Sequence, residues 1–290
     1  MKNVLLTGSS GFLGQHLLKI APGNTHLTAQ YFHNIPGDAI GNIRLFQADF
    51  TKAPWELVQK MRPDIIIHTA AMAEIDECES YPAQARKMNI TVTSQLADLA
   101  ELLGCRFIFI SSDVVFDGKR GGYNEEDQPH PINVYAETKT AAEQYILQKN
   151  SRAVIIRPAL FYGPSFNARP SFTEVMLQRL RNGQKVNTFI DQYRSPISVR
   201  DLAHAIWELV DHDYCGLLHV GGPQRLNRHE MGITLCELFK LDVSLLVPVR
   251  SCDIPLKALR PLDCSLDSTR AVELLKTRFS DFEEGLRQAF

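Results

Sequence analysis

A glycine-rich turn between an apolar strand-like run and a helix-like segment limits this chain to a small set of folds. The turn spans residues 7–14, TGSSGFLG, and directly follows the apolar run VLL at 4–6. Gly8 permits a tight turn, Gly11 lets a pyrophosphate approach the backbone, and Gly14 lets the following helix pack close to the sheet. In this strand–turn–helix context the spacing predicts a dinucleotide site, with the phosphates facing the N–H groups of the helix N-terminus.

The first half of the chain alternates short apolar runs with amphipathic segments. Runs rich in Val, Ile, Phe and Leu predict strands, and apolar residues at helical spacing predict helices. This alternation predicts an α/β protein with a Rossmann-type doubly wound parallel sheet, covered on both faces. The predicted strands are Val4–Thr7, His26–Phe32, Ile43–Gln47, Asp64–Thr69, Arg106–Ile110 and Ala153–Arg157, and the predicted helices are Phe12–Ile20, Pro54–Met61, Ser80–Leu103 and Val134–Lys149.

The pattern changes after Pro158, where strands become sparse and helices dominate. We therefore expect an NAD(P)-binding Rossmann domain over residues 1–160 and a smaller, mainly helical substrate-binding lobe over 161–290, partly interwoven with the first. Later predicted strands are Lys185–Ile190, Gly216–Val220 and Leu245–Val249, and later predicted helices are Phe172–Arg181, Val199–Val210 and Arg228–Phe239.

Composition argues against several classes of function. The net charge of −2 at pH 7 gives no electrostatic footprint for a nucleic acid, and no apolar stretch approaches the roughly 18–20 residues that a membrane span needs. The six cysteines form no CxxC pair and the nine histidines no HExxH motif, so no metal site is expected. Scattered cysteines are typical of reduced, mostly buried thiols, and without a signal-peptide pattern the chain is expected to be cytoplasmic.

A hydroxyl, a phenol and an ammonium follow the fifth predicted strand. Ser112 lies at the end of that strand, at the sheet edge where open α/β folds bind ligands. Tyr135 and Lys139 are four residues apart on a predicted helix and therefore share a face. Because a free tyrosine has a pKa of about 10, we expect the ammonium to lower the pKa of the phenol and make it a usable acid or base.

The end of the second predicted strand bears on the choice of nicotinamide cofactor. An NAD site usually places an Asp or Glu there for the ribose 2′-hydroxyl, but residues 30–34 read QYFHN, with no carboxylate. A carboxylate would repel the 2′-phosphate of NADP, so its absence removes one barrier to NADP. No arginine stands there to bind that phosphate, and NADP(H) and NAD(H) both stay open.

The order TGxxGxxG, SSD and YxxxK resembles the signature of the extended short-chain dehydrogenase/reductases. Within that superfamily the chain is similar to the dTDP-4-dehydrorhamnose reductase group in segments spread over nearly its whole length. These segments are SSDVVFDG at 111–118, NVYAETK at 133–139, DQYRSP at 191–196, GLLH at 216–219 and RPLDCSLD at 260–267. The resemblance implies NAD(P)H-dependent hydride transfer to C4 of a nucleotide-linked 4-keto deoxy sugar, by a protein that forms a homodimer.

The resemblance also implies roles for individual residues. Tyr135 would donate a proton to the sugar carbonyl, Lys139 would hold the nicotinamide ribose, and Ser112 would polarise the carbonyl. Asp113 would contact the sugar, and Asn89 would match the family's Asn or else bond to its own helix backbone. The candidate cofactor-binding residues are Gly8, Ser10, Gly11, Phe12, Leu13, Gly14, Tyr31, Asp49, Ala70, Ala71, Met72, Asn89, Tyr135 and Lys139.

Two departures from the group's pattern concern the substrate. Leu160 stands where members have an aromatic residue after the sixth strand, although Phe161 or Tyr162 could compensate. Arg194 and Ser195 replace the glycine-containing form of the Asp-Gln-x-Gly-x-Pro loop. Arg194 would either bind a phosphate or lie exposed at the rim of the site. The candidate substrate-binding residues are therefore Asp113, Leu160 and Arg194.

Three alternative functions share such a pocket. A sugar-nucleotide 4,6-dehydratase is disfavoured, because Asp113 is followed by Val114 where those enzymes carry a Glu for proton transfer. A nucleotide-sugar 4-epimerase needs no further acid and stays open. The regulatory subunit of methionine adenosyltransferase resembles this group too, including the acidic stretch Glu125–Asp127, which we interpret as a solvated loop. A protein of that kind would bind NADP without catalysis.

Overall fold

The computed structural model describes residues 1–36, 43–166 and 168–290. In chain order its strands are β1 (Lys2–Thr7), β2 (Thr25–Tyr31), β3 (Arg44–Gln47), β4 (Ile65–His68), β5 (Arg106–Ile110), β6 (Val154–Pro158), β7 (Phe161–Tyr162), β8 (Val186–Phe189), β9 (Tyr193–Arg194), β10 (Ile197–Ser198), β11 (Gly216–Val220), β12 (Leu226–Asn227) and β13 (Leu246–Val249). The α-helices are α1 (Phe12–Lys19), α2 (Trp55–Met61), α3 (Ile75–Ser80), α4 (Pro82–Arg86), α5 (Thr93–Leu103), α6 (Val134–Lys149), α7 (Phe172–Arg181), α8 (Val199–Val210), α9 (Arg228–Phe239), α10 (Thr269–Leu274) and α11 (Phe282–Ala289). A π-helical turn covers Lys87–Val92, and short 3₁₀ turns cover Phe50–Lys52, Asp113–Val115, Val243–Leu245 and Ser251–Asp253.

Seven strands form one parallel sheet in the order β3-β2-β1-β4-β5-β6-β11. The strand order reverses between β1 and β4, and in doubly wound folds ligands bind outside the carboxyl ends of the strands at such a point. Both β4 and β5 are buried along their whole length, as expected for a sheet covered on both faces. The predicted Rossmann-type α/β fold is confirmed.

Alternate residues of the central strands enter two different apolar clusters, because successive side chains of a strand point to opposite faces. Leu6 and Ile67 belong to a cluster that also receives α1 and α8. Leu5 and Ile66 belong to the cluster on the other face, which receives α5 and α6. Helix α6 is therefore held on the sheet by its apolar residues while its first turns reach the carboxyl edge.

The prediction of one continuous helix over Ser80–Leu103 is wrong. Helix α3 already begins at Ile75 and ends at Ser80, and Pro82 then starts α4, where its missing N–H is tolerated in the first turn. The chain next passes through the π-helical turn before α5 begins at Thr93. Single π-helical turns are rare and frequently mark functional sites, and this one contains Asn89.

Two elements beyond residue 160 belong to the main body of the fold. Strand β11 pairs with β6 at the edge of the sheet, and α8 shares an apolar cluster with α1. Helices α7, α9 and α11 enclose a separate cluster that includes Leu177, Leu235 and Leu286. The C-terminal part of the chain therefore both completes the large sheet and forms an apolar cluster of its own.

The composition predicts mostly buried cysteine thiols and no membrane-spanning segment. All six cysteines are free, and four of them, Cys78, Cys105, Cys236 and Cys264, are buried, which confirms the prediction of mostly buried thiols. Across residues 1–36, 43–166 and 168–290, no helix has the length and apolar character needed to cross a bilayer.

Candidate active site

The glycine turn has the close packing that its sequence predicts. Gly8 has a φ of +69°, and a Cβ built on it would lie 2.7 Å from the backbone nitrogen of Ala70. A Cβ on Gly14 would lie 2.3 Å from the Gly8 carbonyl oxygen, so only glycine allows α1 to approach the turn. Gly11 is the N-cap of α1 and makes no side-chain cap hydrogen bond, which leaves the first N–H groups of the helix available to an anion.

Other residues of the turn differ in their exposure. Leu13 is buried, whereas Ser10 and Phe12 are half-buried. The Phe12 ring stacks on Phe161 of β7 at a centroid distance of 5.4 Å, which joins the turn to the C-terminal part of the chain. Ser9, which the sequence analysis did not single out, has a buried hydroxyl without a hydrogen-bond partner among the residues described.

The ends of β2 and β3 lie beside this turn. The buried Gln30 side chain accepts a hydrogen bond from the Gly8 N–H (2.9 Å) and donates to the Ala48 carbonyl oxygen (2.7 Å), so it holds the turn in place. Tyr31 ends β2 and is half-buried. The Asp49 carboxylate accepts hydrogen bonds from the hydroxyl and N–H of Thr51, which lower the pKa of Asp49. Cofactor contacts by the side chains at 31 and 49 stay predictions.

Asn89 connects the loop after β4 to α6, the helix that carries Tyr135 and Lys139. The Met72 N–H donates to Asn89 Oδ1 (2.8 Å), and Asn89 Nδ2 donates to the Met72 carbonyl oxygen and to Thr138 Oγ1, both at 3.0 Å. The alternative that Asn89 bonds to its own helix backbone is therefore wrong. Its amide instead positions the segment 70–72 against α6, whereas a direct contact of Ala70, Ala71 or Asn89 with a cofactor stays a prediction.

The structure brings the three predicted reacting groups together at the carboxyl edge of β5. Tyr135 and Lys139 lie one turn apart on α6, whose N-terminus is capped by the Asn133 side chain. Lys139 Nζ donates to the Ile110 carbonyl oxygen at the end of β5 (2.6 Å). Ser112, two residues further on, is close enough to the Tyr135 hydroxyl to influence its pKa. The three side chains therefore lie together at this edge of the sheet.

The protonation of this trio differs from the expectation. Burial raises the pKa of Tyr135, with a smaller opposing effect of the hydrogen bond to Ser112 and a further increase from the Asp113 carboxylate. The prediction that the pKa of this phenol lies below its ordinary value is therefore wrong, because burial outweighs any stabilisation of the phenolate. Burial also lowers the pKa of Lys139 to about 7, against the opposing effect of Glu143.

A buried charged network beneath Lys139 escaped the sequence analysis. Glu143 lies one turn further along α6 and pairs with Arg157 of β6 through two contacts, Nη2–Oε2 at 2.6 Å and Nε–Oε1 at 3.0 Å. Ser111 donates to the same carboxylate, and Arg157 Nη1 donates to His219 Nε2 (3.3 Å). Glu143 follows Lys139 by the same four residues that separate Tyr135 from Lys139. This spacing places all three on one face of the helix, and it could have identified Glu143 from the sequence.

Asp113 and Arg194 form a buried ion pair, with 3.5 Å between Oδ2 and Nε. The Arg194 guanidinium also donates to the carbonyl oxygens of Tyr193, Pro261 and Leu262. The interpretation of Arg194 as an exposed rim residue is therefore wrong, and most of its donors are occupied by backbone. Burial raises the pKa of Asp113, while the charge of Arg194 opposes that shift.

The segment after β6 contains the candidate substitutes for an aromatic substrate contact. Leu160 is half-buried against the apolar cluster of α7, α9 and α11. Tyr162 is fully buried, and its ring packs on Phe282 at 4.6 Å, so it cannot compensate at the substrate. Phe161 is only half-buried and stacks on Phe12. A substrate contact by Leu160 stays a prediction.

The acidic stretch before α6 is not a uniformly solvated loop. The Glu125 carboxylate is buried, accepts a hydrogen bond from the His219 N–H (2.9 Å) and lies 3.8 Å from Arg270 Nε. Glu126, in contrast, has a side chain that is 84% exposed. The solvated interpretation is therefore wrong for Glu125, because the distant strand β11 presents a buried N–H that needs this acceptor.

Two buried histidines predict a loss of stability in acid. Burial lowers the pKa of both His68 and His219 to about 3, whereas the unfolded chain protonates them near about 6.5. Unfolding therefore takes up protons between these values, and the free energy of unfolding should fall as the pH falls from about 6.5 toward 3. Urea titrations at a series of pH values measure this slope.

A pair of variants isolates the histidine contribution from that of the carboxylates. His219→Asn should have a shallower dependence of stability on pH than the wild type, because one site of proton uptake is gone. His26→Asn, at an exposed position, should leave the dependence unchanged. Equal slopes in all three proteins would contradict the prediction.

Solved structures of sugar-nucleotide reductases share this fold. The hypothetical dTDP-4-dehydrorhamnose reductase from Sulfolobus tokodaii is 32% identical, with a TM-score of 0.86 over 98% of this chain and 99% of that one. The dTDP-4-dehydrorhamnose reductase from Bacillus anthracis, solved in complex with NADP, is 27% identical, with a TM-score of 0.85 over 100% of this chain and 98% of that one. The similarity covers the sheet, the crevice and the C-terminal part alike.

Sequence comparison finds both a curated relative and a family. The mouse (Mus musculus) methionine adenosyltransferase 2 subunit beta is 29% identical over 295 residues, which cover 99% of this chain and 87% of that protein. The family of the RmlD substrate binding domain matches residues 1–290. This match confirms the resemblance to the dTDP-4-dehydrorhamnose reductase group. The chain therefore belongs to the RmlD substrate binding domain family of extended short-chain dehydrogenase/reductase-like proteins.

Proposed function

We propose that this protein is an NAD(P)H-dependent oxidoreductase that reduces the 4-keto group of a nucleotide-linked deoxy sugar. The observation that carries the proposal is the convergence of Ser112, Tyr135 and Lys139 at the carboxyl edge of β5, beside the switch point of the sheet. Membership of the reductase family supports it. Val114, next to the Asp113 carboxylate, is a buried apolar residue that cannot move a proton, so a 4,6-dehydratase stays disfavoured.

Tyr135 is the proposed proton donor. Because burial raises its pKa, the phenol is fully protonated at neutral pH, which suits a group that must deliver a proton. As the carbonyl carbon receives a hydride, the Tyr135 O–H bond breaks and a new O–H bond forms on the substrate oxygen. Ser112, which lies near the phenol, would donate to the same oxygen and polarise the carbonyl.

The crevice fits a nicotinamide dinucleotide, which supplies the hydride when bound. A Cβ on Gly8 or Gly14 would collide with neighbouring backbone, whereas a Cβ on Gly11 meets only the Gly8 carbonyl oxygen, at 3.2 Å. The open side at Gly11 and the uncapped start of α1 suit a pyrophosphate. The buried Ser9 hydroxyl is a further donor there. NADP(H) and NAD(H) both stay open.

The lowered pKa of Lys139 predicts that the pH profile of the reduction has a basic limb, a fall in rate at high pH. Its ammonium stabilises the phenolate that forms when the phenol gives up its proton, but burial lowers the pKa of Lys139 to about 7. The protonated fraction therefore falls about tenfold per pH unit above that value, and kcat/KM should fall with it. In Lys139→Arg the charge persists to high pH, so this limb should move upward or vanish. A rate that is constant between pH 6 and 9 would contradict the assignment.

The similarity to methionine adenosyltransferase 2 subunit beta favours a second candidate, a non-catalytic NADP-binding regulatory subunit. A nucleotide-sugar 4-epimerase is a third. The deciding experiment monitors NADPH and NADH absorbance while a panel of dTDP- and UDP-linked 4-keto sugars is added. Reduction with net loss of reduced cofactor supports the reductase, and sugar interconversion without net loss supports the epimerase. Binding of NADP without turnover, together with altered activity of an added methionine adenosyltransferase, supports the regulatory subunit.

Two further features belong to this proposal. Residues 161–290 would form the substrate-binding lobe beside the domain over 1–160, with β11 and α8 joining the two. A homodimer is expected from the resemblance, and light scattering at working concentration measures it. A monomer would remove that part of the proposal without affecting the chemistry.

A further inference from the structure

An arginine that none of the roles above uses lies beside the buried pair of Asp113 and Arg194. Arg228 is the first residue of α9, directly after β12. Strand β12 pairs with β9, which carries Arg194, so the tertiary fold brings these two arginines into one region. Arg228 interacts electrostatically with both Arg194 and Asp113. Two cationic groups and one anionic group therefore lie in one region of the candidate substrate site, where Asp113 and Arg194 are buried and Arg228 is half-buried.

The Arg228 guanidinium has a donor without an acceptor. Its Nη1 atom is buried and has no hydrogen-bond partner within residues 1–36, 43–166 and 168–290. The guanidinium lies over the Phe172 ring, 4.3 Å from its centroid, and this contact fixes the plane of the group. A buried charged group without a partner is costly, and guanidinium geometry matches phosphate and carboxylate oxygens. The Nη1 atom therefore has no acceptor, and an anionic oxygen is the kind of ligand that it is suited to bind.

The neighbouring groups explain why Arg228, rather than Arg194, is the available cation. The Arg194 guanidinium donates hydrogen bonds to three backbone carbonyl oxygens and forms an ion pair with the Asp113 carboxylate. The Asp113 Oδ2 atom, like Arg228 Nη1, has no hydrogen-bond partner among the residues described. The site thus offers one cationic donor without an acceptor and one carboxylate oxygen that is ion-paired with Arg194 but accepts no hydrogen bond. A sugar phosphate carries the complementary pair, a hydroxyl group and anionic oxygens.

We propose that Arg228 binds the diphosphate oxygens of the nucleotide-linked sugar, while the Asp113 carboxylate accepts a hydrogen bond from a sugar hydroxyl. The inference rests on the proposed function for its substrate class, and it assigns the anion-binding group to a residue outside every motif of the sequence analysis. Arg194 is then a positioning residue that holds Asp113 and the segment 261–262.

The test measures binding rather than turnover. Isothermal titration of thymidine diphosphate and uridine diphosphate should give a Kd about 10- to 100-fold weaker for Arg228→Met than for the wild type, the loss of a charged hydrogen bond. Thymidine and uridine should bind both proteins equally. Unchanged diphosphate affinity, or no diphosphate binding by the wild type, would overturn the proposal. The proposal would also be overturned if Arg228→Met weakened the binding of UDP-glucuronate but not that of UDP-glucose, because Arg228 would then bind the sugar carboxylate.

Thermal unfolding separates a binding role from a structural one. Because Arg228→Met removes a charged group whose buried Nη1 has no acceptor and keeps an apolar side chain beside Phe172, the melting temperature should stay the same or rise while affinity falls. A fall in both would show a structural role and overturn the proposal. Arg225→Met is the matched control, because Arg225 also covers an aromatic ring, that of Tyr193, but already pairs with Asp263. Its diphosphate affinity should match the wild type.

Failure of this inference and failure of the proposed function give different results. Turnover of a keto sugar with unchanged diphosphate affinity in Arg228→Met would leave the reductase intact and remove only the role of Arg228. Diphosphate binding that depends on Arg228 in a protein without turnover would leave the anion site intact and remove the reductase.

Discussion

Tyr135→Phe is expected to lower the rate of keto-sugar reduction by about 10²- to 10⁴-fold, the usual contribution of a general acid. The substitution removes one oxygen atom from a buried side chain and leaves the ring in its apolar cluster with Cys78, Ala85 and Val114. The proton would then have to come from a group that is not positioned at the carbonyl oxygen. Steady-state oxidation of NADPH or NADH with the best substrate of the panel measures the effect.

A second tyrosine on the same helix provides the control. Tyr145 lies on α6 as well, but its hydroxyl donates to the exposed carboxylate of Asp98. Tyr145→Phe should keep the wild-type rate within about twofold. Titration of cofactor should give the same Kd for both variants and the wild type. A Tyr135→Phe protein that binds cofactor and retains more than a tenth of the rate would remove this phenol as proton donor.

Glu143→Ala is expected to lower the free energy of unfolding by about 3–5 kcal/mol, because it leaves a buried cation without its partner. Both side chains of the Glu143–Arg157 pair are only 2% exposed, so the Arg157 guanidinium would stay in an apolar environment. The Ser111 hydroxyl would lose its acceptor too. Denaturant titration at neutral pH measures the change.

Two comparisons test whether burial of the Glu143–Arg157 pair causes this loss of stability. Glu283→Ala removes an ion pair with Arg287 on the exposed face of α11, and it should cost only about 0.3–0.5 kcal/mol. The double variant Glu143→Leu with Arg157→Met replaces both charges by apolar groups, and it should recover most of the loss. A cost below about 1 kcal/mol for Glu143→Ala would show that water reaches the pair and would contradict the prediction.

Local sequence patterns were sufficient to predict the fold and to predict that Ser112, Tyr135 and Lys139 lie at one edge of the sheet. The turn over residues 7–14 combines a strand, three glycines and a helix within one short segment, and each of these signals acts over a few residues. The spacing of Tyr135 and Lys139 is one helical turn, and Ser112 follows a strand whose apolar run is visible in the sequence. The break at Pro82 and the π-helical turn were missed, because apolar residues at helical spacing predict a helix without showing where it is interrupted.

The sequence alone determined the doubly wound architecture and the three groups at its carboxyl edge, because periodicity and glycine spacing are properties of neighbouring residues. Only the tertiary structure decided what surrounds them. Arg194 is buried because carbonyl oxygens at 261 and 262 accept its hydrogen bonds, and Glu125 is buried because β11 presents an N–H to it. The phenol of Tyr135 has a raised pKa, since desolvation outweighs its neighbours. Burial and partners depend on segments far apart in the chain, and no local pattern records them.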